Sequence, residues 1–199
     1  MKQVLCIALL AISAMFASAQ SNQKTVAPHA EFGIKGGLNI ANLHVENSTN
    51  QDAKASFYLG GLAHIHVTKF FAVQPEIMYS GQGFNQTIDD TKYRARLSYI
   101  NMPVLAQFMF GDGFRLESGP QLGVLAAARQ KAGGSSTDVK DLYKPLDFSW
   151  VFGLGYVTPS GFGVDARYNL GINNINDVSA NKVNNRVFAA GVFYQFGTK

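Results

Sequence analysis

The chain has 199 residues, a formal net charge of +4 and a hydrophobic fraction of 47%. This length suits a single domain, and 17 basic against 13 acidic residues without any basic run indicate no nucleic-acid partner. The single cysteine, Cys6, lies close to the N-terminus, which excludes a disulfide framework and a zinc site built on cysteines.

The N-terminal segment has the layout of a secretory signal peptide. Lys2 gives a positive start, an apolar run reaches Phe16, and small residues end it at Ala19. The apolar run is shorter than the ~20 residues that a membrane-spanning helix needs, so a transmembrane anchor is the weaker alternative. The predicted divisions of the chain are a signal peptide over 1–19, a flexible N-terminal tail over 20–30 and a β-barrel domain over 31–199.

From residue 31 onward, apolar and polar residues alternate with a period of two, as in strands that have two different faces. The clearest example is 161–171, where every second residue is apolar: Phe162, Val164, Ala166, Tyr168 and Leu170. Eight such runs predict eight strands, over 31–41, 56–67, 70–80, 96–110, 114–126, 148–157, 162–171 and 186–196.

The apolar faces of these eight runs carry no charge, while the opposite faces carry charges, amides and glycines. A Lys or Arg facing lipid at mid-bilayer costs ~2–4 kcal/mol, so this exclusion is typical of a lipid-facing surface. On the polar faces, three basic residues balance three acidic ones, and buried charges need partners. We therefore predict a polar network in the lumen of a barrel. Its predicted members are Lys35, His64, His66, Glu76, Asn101, Arg115, Glu117, Asp165, Arg167 and Asn169.

The connections between the runs alternate in length. Those after the second, fourth and sixth runs are short, and those after the first, third, fifth and seventh are long and polar. This alternation predicts an all-β fold, an eight-stranded antiparallel up-and-down transmembrane β-barrel with short periplasmic turns and long extracellular loops. Pro75, Pro103 and Pro120 fall inside predicted strands, where they remove a hydrogen-bond donor, so we expect bulges or irregular pairing there.

Three segments resemble one family. The stretches 32–39, 73–83 and 99–105 are similar to the outer-membrane β-barrel proteins of the Bacteroidetes, the PorT-like group of small barrels in the porin family. The resemblance implies an eight-stranded barrel in which Pro75 and Pro103 are family features, and it makes a part in protein secretion possible.

The last predicted strand resembles the targeting signal that the barrel-assembly machinery reads. The residues that carry this resemblance are Phe188, Val192, Tyr194 and Phe196. An ordinary amphipathic strand is the alternative interpretation, and the two are compatible because the assembly machinery acts on barrels.

The chain contains no motif of an enzyme. It has no nucleophile elbow, P-loop or metalloprotease helix, and we predict neither catalytic residues nor a cofactor. His64 and His66 lie two apart on one strand face, a spacing that can serve a metal ion. No third ligand is identifiable, so hydrogen bonding inside the barrel is the favoured interpretation and no metal site is predicted.

Together these patterns predict an integral protein of the cell outer membrane with a non-enzymatic role, as a scaffold for surface-loop contacts or an accessory to the envelope or to secretion. Its predicted partners are outer-membrane lipid, the barrel-assembly machinery during biogenesis and an unknown protein or surface partner that contacts the extracellular loops. Three alternatives stay open: a narrow pore for ions or small solutes, a secreted lipocalin-like barrel with an apolar interior, and a membrane-embedded enzyme.

Overall fold

The described part of the chain is almost entirely β-strand. A computed structural model describes residues 29–45, 52–88, 91–132, 135–174 and 183–197. The predicted signal peptide and residues 20–28 of the predicted tail lie outside the described residues. Within them the strands are β1 (Ala30–Val45), β2 (Asp52–His66), β3 (Phe71–Ile88), β4 (Thr91–Phe110), β5 (Phe114–Ala132), β6 (Ser135–Asp138), β7 (Leu146–Val157), β8 (Phe162–Gly171) and β9 (Val183–Gln195), with a 3₁₀ turn at Lys140–Leu142.

Eight of these strands close into an antiparallel barrel, which confirms the predicted fold class. The order of neighbours is β4-β3-β2-β1-β9-β8-β7-β5, and β5 pairs back onto β4. The short β6 pairs only with β5, beyond the point where β5 leaves β7. We call the end with connections 67–70, 111–113 and 158–161 the short-turn end, and the opposite end the loop end.

The strands extend further at the loop end than the sequence predicted. β3 and β4 continue as a paired hairpin up to Ile88 and Thr91, across a region predicted as a polar loop. A polar hairpin has no apolar face to give a period of two, so the pattern could not extend these strands. Among the described residues no helix is long and apolar enough to cross a membrane.

The apolar face is the outer face of the barrel. Phe32 is 65% exposed, Leu59 61% and Leu154 60%, whereas Lys35 and Glu117 are 2% and 4% exposed. This arrangement is the reverse of what the lipocalin-like alternative requires. The strand pattern therefore predicted which residues share a face and which face points outward. Charged residues face the interior because they have partners there and would have none in hydrocarbon.

The three prolines interrupt the ladders without shifting them. Leu62↔Glu76 and Ile65↔Val73 flank Pro75 in one register, and the two intervening pairs are absent. The same two-pair gap appears beside Pro103 in the β3–β4 ladder and beside Pro120 in the β4–β5 ladder. The expected irregular pairing is present, but as gaps at the prolines and not as bulges.

The true register shift between β4 and β5 lies elsewhere, at Ala126. Tyr99 pairs with Leu125 and Ser98 pairs with Ala127, so Ala126 is one extra residue in β5. One inserted residue moves every following side chain to the other face of a strand. Beyond Ala126, Ala128 is therefore buried and Arg129 is exposed.

Near the loop end the inner wall changes from polar to apolar. Leu97, Tyr99, Leu125 and Ala128 form a buried cluster, against which Val139 and Tyr143 pack. The segment that carries these two residues is held in place by backbone bonds, in which the Val139 amide donates to the Ala128 carbonyl at 3.1 Å. Burial raises the pKa of the Tyr143 phenol. The connection from β6 to β7 thus covers apolar wall instead of leaving it open to water.

Candidate functional site

The centre of the barrel holds Arg167 between two glutamates. Its Nη1 and Nη2 donate to the two oxygens of Glu76 at 2.6 and 2.8 Å. Its Nε and Nη2 donate to the two oxygens of Glu117, the second at 3.1 Å. Each carboxylate thus receives two N–H bonds, the fork arrangement that makes arginine–carboxylate pairs strong and directional.

A second cation, Lys35, joins this group through Asp165. Lys35 Nζ donates to Asp165 Oδ2 at 2.6 Å and to Glu76 Oε1 at 3.5 Å. Arg167 Nε lies 2.8 Å from the same Asp165 oxygen. We call Lys35, Glu76, Glu117, Asp165 and Arg167 the charge cluster. It has two positive and three negative members, and all are buried.

Neutral side chains complete the bonding of the charge cluster. Gln74 Nε2 donates to Glu76 at 2.7 Å, and Gln107 Nε2 donates to Glu117 at 2.8 Å. The hydroxyl of Tyr58 donates to Asp165 at 3.4 Å. Buried ion pairs are stable only when their remaining lone pairs are also satisfied, so these three residues belong to the same unit.

Arg115 does not pair with Glu117, which lies two residues away on the same strand. Its Nη2 donates to Gln195 at 3.1 Å, and its guanidinium lies 5.5 Å from the centre of the Phe193 ring. The oxygens of Glu117 are already occupied by Arg167 and Gln107, which leaves Arg115 apart. Its Nε and Nη1 have no hydrogen-bond partner among the described residues.

His64 and His66 lie together inside the barrel near the short-turn end. Their rings are 4.5 Å apart and nearly perpendicular, and His64 Nδ1 is 3.2 Å from the Gln74 side-chain oxygen. In the ranges that the structure describes, no group of three or more His, Cys, Asp or Glu side chains is arranged to hold a metal ion. The histidine pair therefore adjoins the charge cluster through Gln74.

Asn101 and Asn169 lie on the loop-end side of the charge cluster, next to a small cavity. The cavity measures about 10 Å³, room for about one water molecule. Its lining consists of Asn39, Tyr58, Met78, Ser80, Asn101, Gln121, Arg167, Asn169 and Ala189. This part of the lumen is packed with side chains, as expected for eight strands.

Glycines on the inner face make room for the long side chains. A Cβ added at Gly153 would lie 2.6 Å from Glu117 Oε1 and 3.0 Å from Arg167 Cγ. A Cβ at Gly163 would lie 2.1 Å from the ring of Phe193. Inner-face glycines and long charged residues on neighbouring strands are therefore two parts of one packing arrangement.

The sequence prediction missed two buried carboxylates, Glu31 and Asp147. Glu31 is 7% exposed and Asp147 4% exposed, and Asn185 Nδ2 donates to Asp147 Oδ2 at 3.2 Å. Asp147 lies one residue before the predicted start of its strand. Extending the inward pattern from Val151 and Ser149 by one more step would have found it.

The residues of the predicted assembly signal all point outward at the end of the chain. Phe188, Val192, Tyr194 and Phe196 are between 42% and 51% exposed. The first three lie in β9, and Phe196 follows it, with its ring 5.3 Å from that of Tyr194. They form part of the outer apolar face of the barrel.

The sequence of this barrel places it in a known family. A family model described as "Outer membrane protein beta-barrel domain" matches residues 18–177. The chain belongs to this family. No curated protein matches the chain in sequence.

Solved outer-membrane barrels share the fold of this outer membrane β-barrel protein. It is similar to Neisserial surface protein A, with 15% identity, a TM-score of 0.55, and coverage of 84% of this chain and 99% of that one. It is also similar to Ail, the attachment invasion locus protein of Yersinia pestis, solved with the heparin analogue sucrose octasulfate. That match has 16% identity, a TM-score of 0.51 and the same coverage.

The family gives the two surfaces of this outer membrane β-barrel protein their surroundings. Its apolar face is the outside of an outer-membrane barrel, and the charge cluster lies in the interior. The charge cluster joins side chains of β1, β3, β5 and β8, so it links opposite walls of the barrel.

Proposed function

We propose that this protein is a non-conducting, non-enzymatic scaffold in the outer membrane that presents its loop end to a partner at the cell surface. The observation that carries the proposal is the filled lumen: Arg167 joins Glu76 on β3, Glu117 on β5 and Asp165 on β8, so charged side chains cross the barrel from wall to wall.

The charge cluster favours a scaffold over the alternative of a narrow pore. An ion crossing the lumen would have to separate bonds of 2.6 Å between fully buried partners. Beside the cluster the cavity is about 10 Å³, about one water molecule. A solute would therefore need the cluster to break open, which is costly because each separated charge stays buried.

Conductance in planar bilayers tests the proposal. We expect purified wild-type protein to give a flat current trace at all voltages, because the cluster stays closed. The Arg167→Ala variant opens the centre of the same barrel and is expected to show channel activity or a raised leak. Discrete, ion-selective current steps from the wild-type protein would contradict a scaffold and favour the pore.

We propose further that the protein follows the usual route to the outer membrane. The signal peptide over 1–19 would direct export, and the outward-facing Phe188, Val192, Tyr194 and Phe196 would be read by the barrel-assembly machinery. Support comes from the exposure of these four side chains, three of them in the last strand and Phe196 directly after it. The segments 32–39, 73–83 and 99–105 support placement in the PorT-like group, and with it a role as an accessory to secretion.

A further inference from the structure

Four cations face each other on the outer surface of β4 and β5 at the loop end. Arg96 lies directly opposite Arg129, and Arg94 lies directly opposite Lys131. All four side chains are exposed. Like charges at directly opposed positions of a sheet are destabilising, so this arrangement has a cost in the isolated protein. We call these four residues the cation patch.

Among the described residues one acidic side chain, Asp138, lies beside the cation patch and offsets it only in part. None of its members forms an ion pair within the part of the chain that the structure describes. Asp138 lies opposite Arg129 across the short β5–β6 ladder, and its carboxylate also accepts a bond from the Lys140 amide at 2.9 Å. One negative charge against four positive charges leaves the patch with a net positive charge. Lys54 adds a fifth positive charge that acts on Arg96.

The extra residue at Ala126 is what creates the cation patch. On the membrane side of it, odd-numbered residues of β5 such as Arg115 and Gln121 are buried inside the barrel. If that register continued, Arg129 and Lys131 would also point inward. The shift between Ser98 and Tyr99 instead turns them outward, opposite Arg96 and Arg94.

The cation patch lies just beyond the lipid-facing band, on the same face. From Phe110 to Ile100, β4 spans about 33 Å, or about 25 Å across the membrane at a tilt of ~40°, which is the height of an apolar band. Arg96 follows about 10 Å further on, again from ~3.3 Å per residue and the same tilt. Arginine side chains that reach back toward the interface would bring their guanidinium groups to headgroup depth.

We propose that the cation patch binds the phosphate groups of an anionic outer-leaflet glycolipid of the lipid A class. Guanidinium groups recognise phosphate through paired N–H donors, and the phosphate charge removes the repulsion between the opposed cations. The outward direction of the patch, continuous with the apolar band, favours a lipid over a soluble polyanion. The proposal is independent of whether the barrel conducts.

Binding is tested with the full chain in phosphatidylcholine nanodiscs that contain either bisphosphorylated lipid A or dephosphorylated lipid A. Native mass spectrometry counts the glycolipid retained by the wild type, by the Arg96→Gln/Arg129→Gln double variant and by Arg186→Gln. Arg186 is the matched control, because it is an exposed arginine opposite Leu170 on the far side of the barrel.

We expect the wild type to retain bisphosphorylated lipid A in preference to the dephosphorylated form. Each cation near an anionic lipid surface changes affinity by about fivefold, so the double variant should lose about 25-fold and Arg186→Gln about fivefold or less. In nanodiscs of pure phosphatidylcholine the double variant should unfold at no lower denaturant concentration than the wild type. The two substitutions remove the repulsion between Arg96 and Arg129.

Three results would overturn the proposal. The first is equal retention by the wild type and the double variant, and the second is an equal loss in the Arg186→Gln control. The third is binding of soluble heparin by the wild type that the double variant abolishes while lipid A retention stays unchanged, which would assign the patch to a polyanion in solution.

Discussion

The charge cluster predicts a strong and non-additive response to the loss of Arg167. Replacing Arg167 with Met leaves three carboxylates of the charge cluster inside the barrel. Lys35 is then the remaining cation of the cluster. Removing one partner of a buried ion pair costs about 3–5 kcal/mol, because the other partner stays buried and uncompensated. We therefore expect Arg167→Met to lower the free energy of unfolding by about 3–5 kcal/mol.

The Glu76→Gln variant completes a double-mutant cycle. Arg167 donates two bonds to Glu76, at 2.6 and 2.8 Å. Opposite charges ~4 Å apart interact by about 4 kcal/mol at an effective dielectric of ~20. The double variant should thus be more stable than the sum of the two single losses predicts, by about 0.5–3 kcal/mol, which is the usual size of a direct coupling.

Urea unfolding of the barrel in detergent micelles measures this cycle. The single tryptophan, Trp150, lies on the lipid-facing side of β7 and is 39% exposed, so its fluorescence reports the loss of the apolar surroundings. The exposed Arg186→Met variant is the control and should change the free energy by less than about 0.5 kcal/mol. The role of the charge cluster would be refuted if the stability losses of Arg167→Met and Glu76→Gln were additive in the double variant. It would also be refuted if Arg167→Met and Arg186→Met lowered the free energy of unfolding equally.

Two further outcomes are expected. Phe152→Arg, near the middle of the lipid-facing band, should destabilise the inserted barrel by about 2–4 kcal/mol, whereas Ile172→Arg at the loop end of the same face should cost about 0–1 kcal/mol. Equal costs at both depths in vesicle-based unfolding would contradict the membrane position. N-terminal sequencing of the protein purified from outer membranes should begin at Gln20, and an intact Met1 would contradict cleavage after Ala19.

The sequence alone predicted the face and the direction of most side chains. The alternation over 162–171 was enough to place Phe162 and Val164 outside and Asp165 and Arg167 inside, because each strand of a small barrel obeys the same local rule. This prediction depended on neighbouring residues and on the cost of charge in lipid, both of which can be evaluated without a structure.

What the sequence did not predict depends on contacts between strands. The partners of Arg115 could not be predicted, because its strand neighbour Glu117 is occupied by Arg167, which comes from a strand about fifty residues later in the chain. The outward turn of Arg129 requires the register of β5 against β4, and no local pattern marks Ala126 as an extra residue. Period-two alternation also ends where both faces become polar, which hid the long hairpin of β3 and β4.

The proline gaps make the barrel wall mechanically uneven. Pro75, Pro103 and Pro120 lie on three consecutive strands, β3, β4 and β5, and each interrupts a ladder near the same level. The ladders that join β7, β8, β9 and β1 are continuous. A cylinder with one weakened side bends there first when the surrounding bilayer is thinned or compressed. The cross-section of this barrel would therefore flatten in one direction. It would bend along the line that joins the three prolines, while the strands at both ends of the chain would stay rigid.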